Sequence, residues 1–147
     1  MRVVLVAGPP CAGKTTYVRE HIRSGDLVLD RDRLEEALTE TPGVLDEAIG
    51  QFVASAFYAV LKKNRVRSLL TFGDADRTLW VQECAPRRET RRRYLQMNGP
   101  TTEVVVLDTP KEVCEVRARE RFGVDDERLE VYMDAIRLWW VEYERGM

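Results

Sequence analysis

Val3-Val4-Leu5-Val6-Ala7-Gly8-Pro9-Pro10-Cys11-Ala12-Gly13-Lys14-Thr15 is the stretch that decides the fold of this chain. Its second half, Gly8 to Thr15, fills every fixed position of the phosphate-binding pattern G-x-x-x-x-G-K-[ST]. The apolar run before it is typical of a buried parallel strand, and a helix is expected to begin near Lys14. The loop between them then points backbone N–H groups at an anion, with the positive end of the helix dipole behind them. A chance glycine turn is the alternative.

This loop predicts a nucleoside triphosphate and Mg²⁺ as ligands. Lys14 is expected to reach the β- and γ-phosphates, and the Thr15 hydroxyl to coordinate the metal. ATP is expected because the sequence has no Asn-Lys-x-Asp guanine-reading pattern. Cys11 lies near a positive helix end, which predicts either a lowered thiol pKa or simple packing. The predicted nucleotide-binding residues are Gly8, Pro9, Pro10, Cys11, Ala12, Gly13, Lys14, Thr15 and Thr16.

Length and composition predict one domain over residues 1–147. The chain has 147 residues, a net charge of −2 and 33% charged residues, a balance that argues against a general nucleic-acid coat protein. Its three cysteines lack metal-ligand spacing and suit reduced thiols in a cytoplasm. We expect a cytoplasmic protein without a signal peptide and without a membrane segment. The sequence does not decide the oligomeric state.

Short apolar runs alternate with amphipathic segments along the chain, which predicts an α/β fold with a parallel sheet covered on both faces. Ligands of such sheets bind at the carboxyl ends of the strands. Arg65 to Thr71 is either helix or a short strand, and we favour helix. Strands are predicted at Val3–Ala7, Leu27–Asp30, Thr78–Gln82 and Val104–Leu107, and helices at Lys14–Arg23, Leu34–Leu38, from Leu45 past Val60, Pro86–Met97, Pro110–Arg121 and Glu127–Tyr143.

Two carboxylates at the predicted rim are candidates for chemistry. Asp32 follows the second strand and is placed to accept a proton from an attacking hydroxyl. The alternative is that Asp30 or Asp32 only caps the next helix. Glu83 ends the third strand beside the phosphate loop, where a carboxylate holds Mg²⁺ through water, or where it is simply solvated.

Arginines supply the remaining candidates. Arg117 and Arg121 are spaced i, i+4 on one helix face, which suits stabilisation of a transferring phosphoryl group. The alternative is a solvated face with weak ion pairs to Glu115 and Glu120. A dense basic face after the third strand predicts either a nucleic-acid contact or an ordinary solvated helix. That face consists of Arg87, Arg88, Arg91, Arg92 and Arg93.

The aromatic residues of the last helix fit a structural role. Trp139 and Trp140 follow helical spacing and are expected to pack this helix against the sheet. His21 is the single histidine of the chain, which excludes a His-based metal centre or a Ser-His-Asp triad.

The motifs together resemble the small P-loop kinases of the polynucleotide 5′-hydroxyl kinase, gluconate kinase and zeta-toxin type, and short ATP-binding proteins of actinobacterial phages and hosts. The quoted pieces are Gly8–Thr16, Arg31-Asp32, Glu83-Cys84-Ala85-Pro86 and Leu107-Asp108-Thr109-Pro110. The resemblance implies a P-loop NTPase three-layer sandwich with a mostly parallel four- to five-stranded sheet and a small helical lid. It also implies Asp32 as the general base, and Arg117 and Arg121 as lid arginines.

The resemblance departs from polynucleotide kinases at one position. Those enzymes hold the acceptor phosphate with an arginine three residues beyond the aspartate, and Glu35 stands there in this chain. Arg33 is the nearest substitute. The first hypothesis is therefore a Mg²⁺- and ATP-dependent kinase acting on a hydroxyl or phosphate of a nucleoside, nucleotide or nucleic-acid end. A nucleotide-binding switch or ATPase that acts with a protein or DNA partner is the second, and a binding protein with weak turnover is the third.

Overall fold

A computed structural model describes residues 2–39, 47–64, 77–98 and 101–146. Strands and helices alternate through these ranges, as the sequence predicts. The strands are β1 (Arg2–Ala7), β2 (Leu27–Asp30), β3 (Thr78–Glu83) and β4 (Thr102–Val106). The helices are α1 (Lys14–His21), α2 (Arg31–Thr39), α3 (Glu47–Asn64), α4 (Arg88–Asn98), α5 (Lys111–Phe122) and α6 (Glu127–Arg145).

The four strands form one parallel sheet in the order β2-β3-β1-β4. Ala7 at the end of β1 pairs with Glu83 on one side and Val106 on the other. The carboxyl ends of these three strands therefore lie at one edge, where the loop from β1 to α1 also begins. This confirms the predicted α/β fold and places the phosphate-binding motif at the edge where such sheets bind ligands.

Helices cover both faces of the sheet, and the side chains of β1 alternate between them. Val3 and Leu5 belong to a cluster that includes Phe57 of α3 and Tyr94 of α4. Val4 and Val6 pack on the opposite face, against α1, in a second cluster. Because both faces are buried, β1 is apolar from Val3 to Ala7 without polar alternation.

The last two helices form a hairpin beside the phosphate loop. Gly123 (φ 73°) ends α5, and the Asp126 carboxylate caps α6 by accepting a hydrogen bond from the N–H of Arg128. Trp139 is buried and donates its indole N–H to the carbonyl oxygen of Cys84 at 2.6 Å, which holds α6 over the carboxyl edge of β3. Trp140 packs against a cluster from the phosphate loop, α5 and α6: Ala12, Cys114, Ala118, Met133 and Ile136. Both tryptophans are therefore structural, but only Trp139 holds α6 to the sheet as predicted, whereas Trp140 packs within the hairpin.

Several predicted boundaries are wrong by a few residues. Helix α1 ends at His21 rather than Arg23, because Ile22 already has an extended backbone. Helix α2 begins at Arg31 rather than Leu34, and α4 at Arg88 rather than Pro86. Strand β4 spans Thr102–Val106 instead of Val104–Leu107. The predictions for residue 45 and for 65–71 lie outside the described residues.

Within the described ranges, no helix is long and apolar enough to cross a membrane.

Candidate nucleotide-binding site

A cleft of about 1200 Å³ opens at the carboxyl edge of the sheet. One wall is the phosphate loop with the facing sides of α5 and α6. The opposite wall comes from the start of α2, from Tyr58 of α3, and from the segment that joins β3 to α4. Residues that are distant in sequence therefore meet around one space, as the topology predicts.

The phosphate loop needs its glycines for two different reasons. Gly13 has φ +99°, a left-handed conformation that L side chains rarely adopt. A Cβ atom on Gly8 would lie 2.8 Å from the carbonyl oxygen of Leu107 and 3.3 Å from Cβ of Ala12. The Gly8 N–H also donates to the carbonyl oxygen of Cys84 at 3.2 Å. The loop thus sits against the ends of both neighbouring strands.

Lys14 is the first residue of α1, and its side chain folds back over the loop. The ammonium group donates to the carbonyl oxygens of Gly8 and Pro9, both at 2.9 Å. It lies 4.0 Å from the sulfur of Cys84. This position puts a positive charge over the mouth of the loop, where the sequence predicts the phosphate oxygens of a nucleotide.

Gln82 is the residue that the sequence analysis missed. This residue is 4% exposed, and its Oε1 accepts a hydrogen bond from the Thr15 hydroxyl at 3.0 Å. Gln82 and Trp80 share one face of β3, toward α1, whereas Leu79 and Val81 face α3 and α4. Period-two counting along β3 predicts this, because Glu83 must then point away from Thr15.

Glu83 is held on the α3–α4 side of the sheet. Its Oε1 accepts a hydrogen bond from the Tyr58 hydroxyl at 3.1 Å, and its Oε2 accepts one from Tyr94. Burial raises the pKa of Tyr58 to about 12, and the neighbouring Glu83 carboxylate adds to the shift. The same two causes raise the pKa of Tyr94. Both phenols therefore keep their protons and donate to Glu83, which still lines the cleft.

Of Asp30 and Asp32, the structure assigns the helix cap to Asp30, and the base role of Asp32 stays a prediction. Oδ1 of Asp30 accepts the N–H groups of Asp32 and Arg33 at 3.0 and 3.4 Å, so Asp30 supplies the cap of α2. Asp32 lines the cleft instead. Its side chain reaches water, but the cleft walls desolvate it and raise its pKa, with the Asp30 charge adding to the shift. Lys14 and Arg121 oppose this by favouring the ionised form.

The two predicted lid arginines lie on the phosphate-loop wall. The guanidinium group of Arg117 donates to the carbonyl oxygens of Cys11 and Ala12, both at 3.3 Å. Arg121 stacks over the rings of Phe122 and Tyr132 at 5.0 and 5.7 Å and lines the cleft. The structure therefore brings both arginines to the loop, and stacking on the Phe122 and Tyr132 rings holds the Arg121 guanidinium in place.

The thiol pKa values are raised, not lowered. Burial raises the pKa of Cys11, and the cations Arg121, Lys14 and Arg117 only reduce the shift. Of the two alternatives for Cys11, the lowered pKa is therefore wrong, because these cations do not offset the loss of water around the sulfur. The packing role is what the structure shows, since Cys11 packs against the cluster of Ala12 and Cys114. Cys84 is shifted in the same direction, mainly by burial. The described cysteines Cys11, Cys84 and Cys114 are free thiols.

The basic face after β3 is smaller than its sequence indicates. Arg87 binds the Glu142 carboxylate through Nε and Nη2 at 2.9 and 2.7 Å. Arg91 donates to the carbonyl oxygens of Ala85 and Pro86 and stacks over Tyr143 at 5.2 Å. Arg87 is exposed but paired. Arg88, Arg92 and Arg93 are exposed and have no ion pair among the described residues, and they are named here the exposed α4 arginines. Nucleic-acid contact through them stays a prediction.

No group of three or more His, Cys, Asp or Glu side chains among the described residues is arranged to hold a metal ion. The cleft offers neutral oxygen atoms instead, on Thr15 and Gln82. Such a donor set fits a hard cation like Mg²⁺, which binds through few protein ligands, water and substrate phosphates.

Comparison with known proteins agrees with this geometry. The model of the family described as an AAA domain matches residues 3–145. A chain of the Pnkp1/Rnl/Hen1 RNA repair complex superposes with a TM-score of 0.62 at 15% identity, over 95% of this chain and 45% of that one. Shikimate kinase from Acinetobacter baumannii in complex with shikimate superposes with a TM-score of 0.53 at 25% identity, over 99% of this chain and 80% of that one.

One curated relative is much longer than this chain. It is transcription factor bHLH140 from Arabidopsis thaliana, which is 27% identical over 123 residues. The match covers 82% of this chain and 12% of that protein. The chain thus spans under half of the repair-complex chain and about an eighth of the plant protein. These likenesses agree with the P-loop kinase fold that the sequence predicts.

Proposed function

From the premise that this chain belongs to the AAA domain family, we propose that it is an ATP- and Mg²⁺-dependent phosphotransferase. It moves the γ-phosphoryl group of ATP to a hydroxyl group of an acceptor. Nucleosides, nucleotides, nucleic-acid ends and sugars are the acceptors to be tried. The observation that carries the proposal is the meeting of Lys14, Asp32 and Arg121 across one cleft, with the phosphate loop as one wall.

The transfer needs a base, and the position of Asp32 in the cleft supports its assignment to that role. Asp30 already serves as the cap of α2, so the Asp32 carboxylate is available to the cleft. It accepts the proton of the acceptor hydroxyl while the acceptor oxygen bonds to the γ-phosphorus. The bond from that phosphorus to the oxygen bridging it to the β-phosphate breaks, and ADP leaves with the electron pair.

Positive charge on the loop wall serves the same step. Lys14 neutralises the phosphate oxygens, and Arg117 and Arg121 meet the charge of the transferring group. The Thr15 hydroxyl, which is hydrogen-bonded to Gln82, would hold Mg²⁺. Glu83 is a second candidate for the metal through water, although its carboxylate is turned toward Tyr58 and Tyr94. When bound, the cation supplies charge neutralisation to the phosphates.

Transfer of label from γ-labelled ATP tests this proposal. The parent protein is incubated with Mg²⁺ and a panel of nucleosides, nucleotides, oligonucleotides and sugars. We expect label on an acceptor, and strongly reduced transfer by Asp32→Asn. Asp134→Asn is the matched control, because this aspartate is exposed on α6 and bonds only to Arg137 in the described contacts. Label found only as free phosphate contradicts the kinase and favours the ATPase switch.

A further inference from the structure

The wall of the cleft opposite the phosphate loop, named here the acceptor wall, is where an acceptor must lie if its hydroxyl is to reach both Asp32 and the γ-phosphate. Four carboxylates line it: Asp30, Asp32, Glu35 and Glu83. Asp30 is already engaged by the cap of α2 and by Arg33, which leaves the other three to meet a ligand. Arg31 is the cation beside them. The guanidinium of Arg87 also lines the cleft, but Glu142 neutralises it through two hydrogen bonds. Negative charge therefore predominates on this wall.

The Glu83 carboxylate is held in the acceptor wall by two hydrogen bonds and is not a freely solvated group at the end of β3. Tyr94 is 1% exposed and cannot turn away, and Tyr58 holds the second carboxylate oxygen at 3.1 Å. These bonds fix the direction of the carboxylate and leave lone pairs on its oxygens. Ionised carboxylates accept hydrogen bonds and donate none. The acceptor wall thus suits a ligand that brings donors, namely hydroxyl or ammonium groups.

An anionic acceptor fits this wall poorly for two reasons. A carboxylate or a fully ionised phosphate has no proton to offer Glu35 or Glu83, and its charge has the same sign as theirs. Arg31 faces this wall, and Arg93 lies near enough to act on Tyr58, but the carboxylates outnumber these cations. Lys14 and Arg121 also act on Asp32, but they lie on the loop wall, where the phosphates of the bound nucleotide would take up their charge. Removing water from like charges strengthens their repulsion.

We infer that the acceptor is a hydroxyl compound without anionic groups, either an uncharged polyol or an amino-bearing one, and that Glu35 and Glu83 select it by accepting its hydrogen bonds. This inference rests on the proposed phosphotransferase function and names the acceptor class of the same cleft.

Matched compounds that differ in charge test the inference. D-Glucose, D-glucosamine and D-gluconate form one set, and adenosine with 5′-AMP forms another. Each is titrated by calorimetry into protein saturated with Mg²⁺ and a non-hydrolysable ATP analogue, and is then assayed for transfer from ATP. We expect an uncharged or amino member to bind about tenfold or more tightly than its anionic counterpart in at least one set.

Tighter binding of the anionic members overturns the inference. So does binding of the nucleotide analogue without binding of any member, an outcome that leaves the nucleotide half of the proposed function intact. Failure to bind the analogue overturns both proposals together.

Single substitutions then test the two glutamates. Glu35→Gln and Glu83→Gln should each raise KM for the favoured acceptor about tenfold and leave KM for MgATP unchanged. Glu36→Gln is the matched control, because Glu36 is exposed on α2 beside Glu35 and does not line the cleft. If Glu83→Gln raises the Mg²⁺ requirement instead, Glu83 serves the metal and its selecting role falls. Glu35 lies on a surface helix, so its variant tests the inference even if Glu83→Gln fails to fold.

Discussion

Alanine at Gly8 tests how tightly the phosphate loop is built into the sheet. The added methyl group would lie 2.8 Å from the Leu107 carbonyl oxygen and 3.2 Å from its Cβ atom. That carbonyl cannot give way easily, because the N–H of Leu107 is bonded to the Ala7 carbonyl oxygen at 2.8 Å. Overpacking of this kind costs about 1–3 kcal/mol of unfolding free energy. The loop must shift, so MgATP affinity should also fall by about tenfold or more.

Gly50→Ala is the matched control. A Cβ atom on Gly50 meets no atom within 4 Å, and this glycine lies inside α3. The same chemical change should therefore stabilise the protein by about 0.5–1 kcal/mol, since alanine loses less backbone entropy in a helix. Urea denaturation measures both variants, and calorimetry measures their affinity for MgATP. A Gly8→Ala protein with the parental urea midpoint and the parental affinity would refute the reasoning.

Three further predictions concern charged groups. Because desolvation by the cleft walls raises the Asp32 pKa, kcat/KM should fall as pH drops through a value above the ordinary aspartate range. Asp32→Asn should lose this pH dependence and about 10²–10⁴ of the rate, and an unchanged pH dependence contradicts the base role. The hydrogen bond from the Arg128 side chain lowers the Asp126 pKa to about 2. The parent should therefore be more stable than Asp126→Ala by a constant amount above about pH 4, and this difference should vanish as pH falls through 2. A difference in Tm that does not depend on pH argues against this reasoning. If the exposed α4 arginines bind single-stranded nucleic acid, replacing all three by Gln should reduce the salt slope of oligonucleotide binding by about 2 units, and an unchanged slope rejects the contact.

Most of the fold follows from the sequence because its signals are local. The apolar run before Gly8 and the glycine-lysine loop together specify strand, loop and helix. Helix ends are less well specified, because they depend on contacts that the sequence does not display. Asp30 illustrates this, since its carboxylate caps α2 at once and starts that helix three residues before the predicted Leu34.

The site is predicted in part. The sequence names the loop, Asp32, Arg117 and Arg121 as candidates, and the structure brings all of them to one cleft, while their roles stay predictions. Period-two counting along β3 places Gln82 on the α1 face, but no motif marks a buried glutamine as the partner of Thr15, so the sequence does not predict that hydrogen bond. Nor does it reveal that Tyr58 and Tyr94 hold Glu83, since these residues come from α3 and α4 and meet only after the sheet is covered.

Calorimetric titration of MgATP tests the central claim, that the loop between β1 and α1 together with Lys14 binds the phosphates of ATP. Lys14→Ala is compared with Lys111→Ala, since each lysine is the first residue of its helix and only Lys14 lies in the loop. The account predicts one bound nucleotide per chain for the parent and for Lys111→Ala, and a large loss of affinity for Lys14→Ala. Absence of nucleotide binding by the parent, or equal affinity in all three proteins, would contradict it.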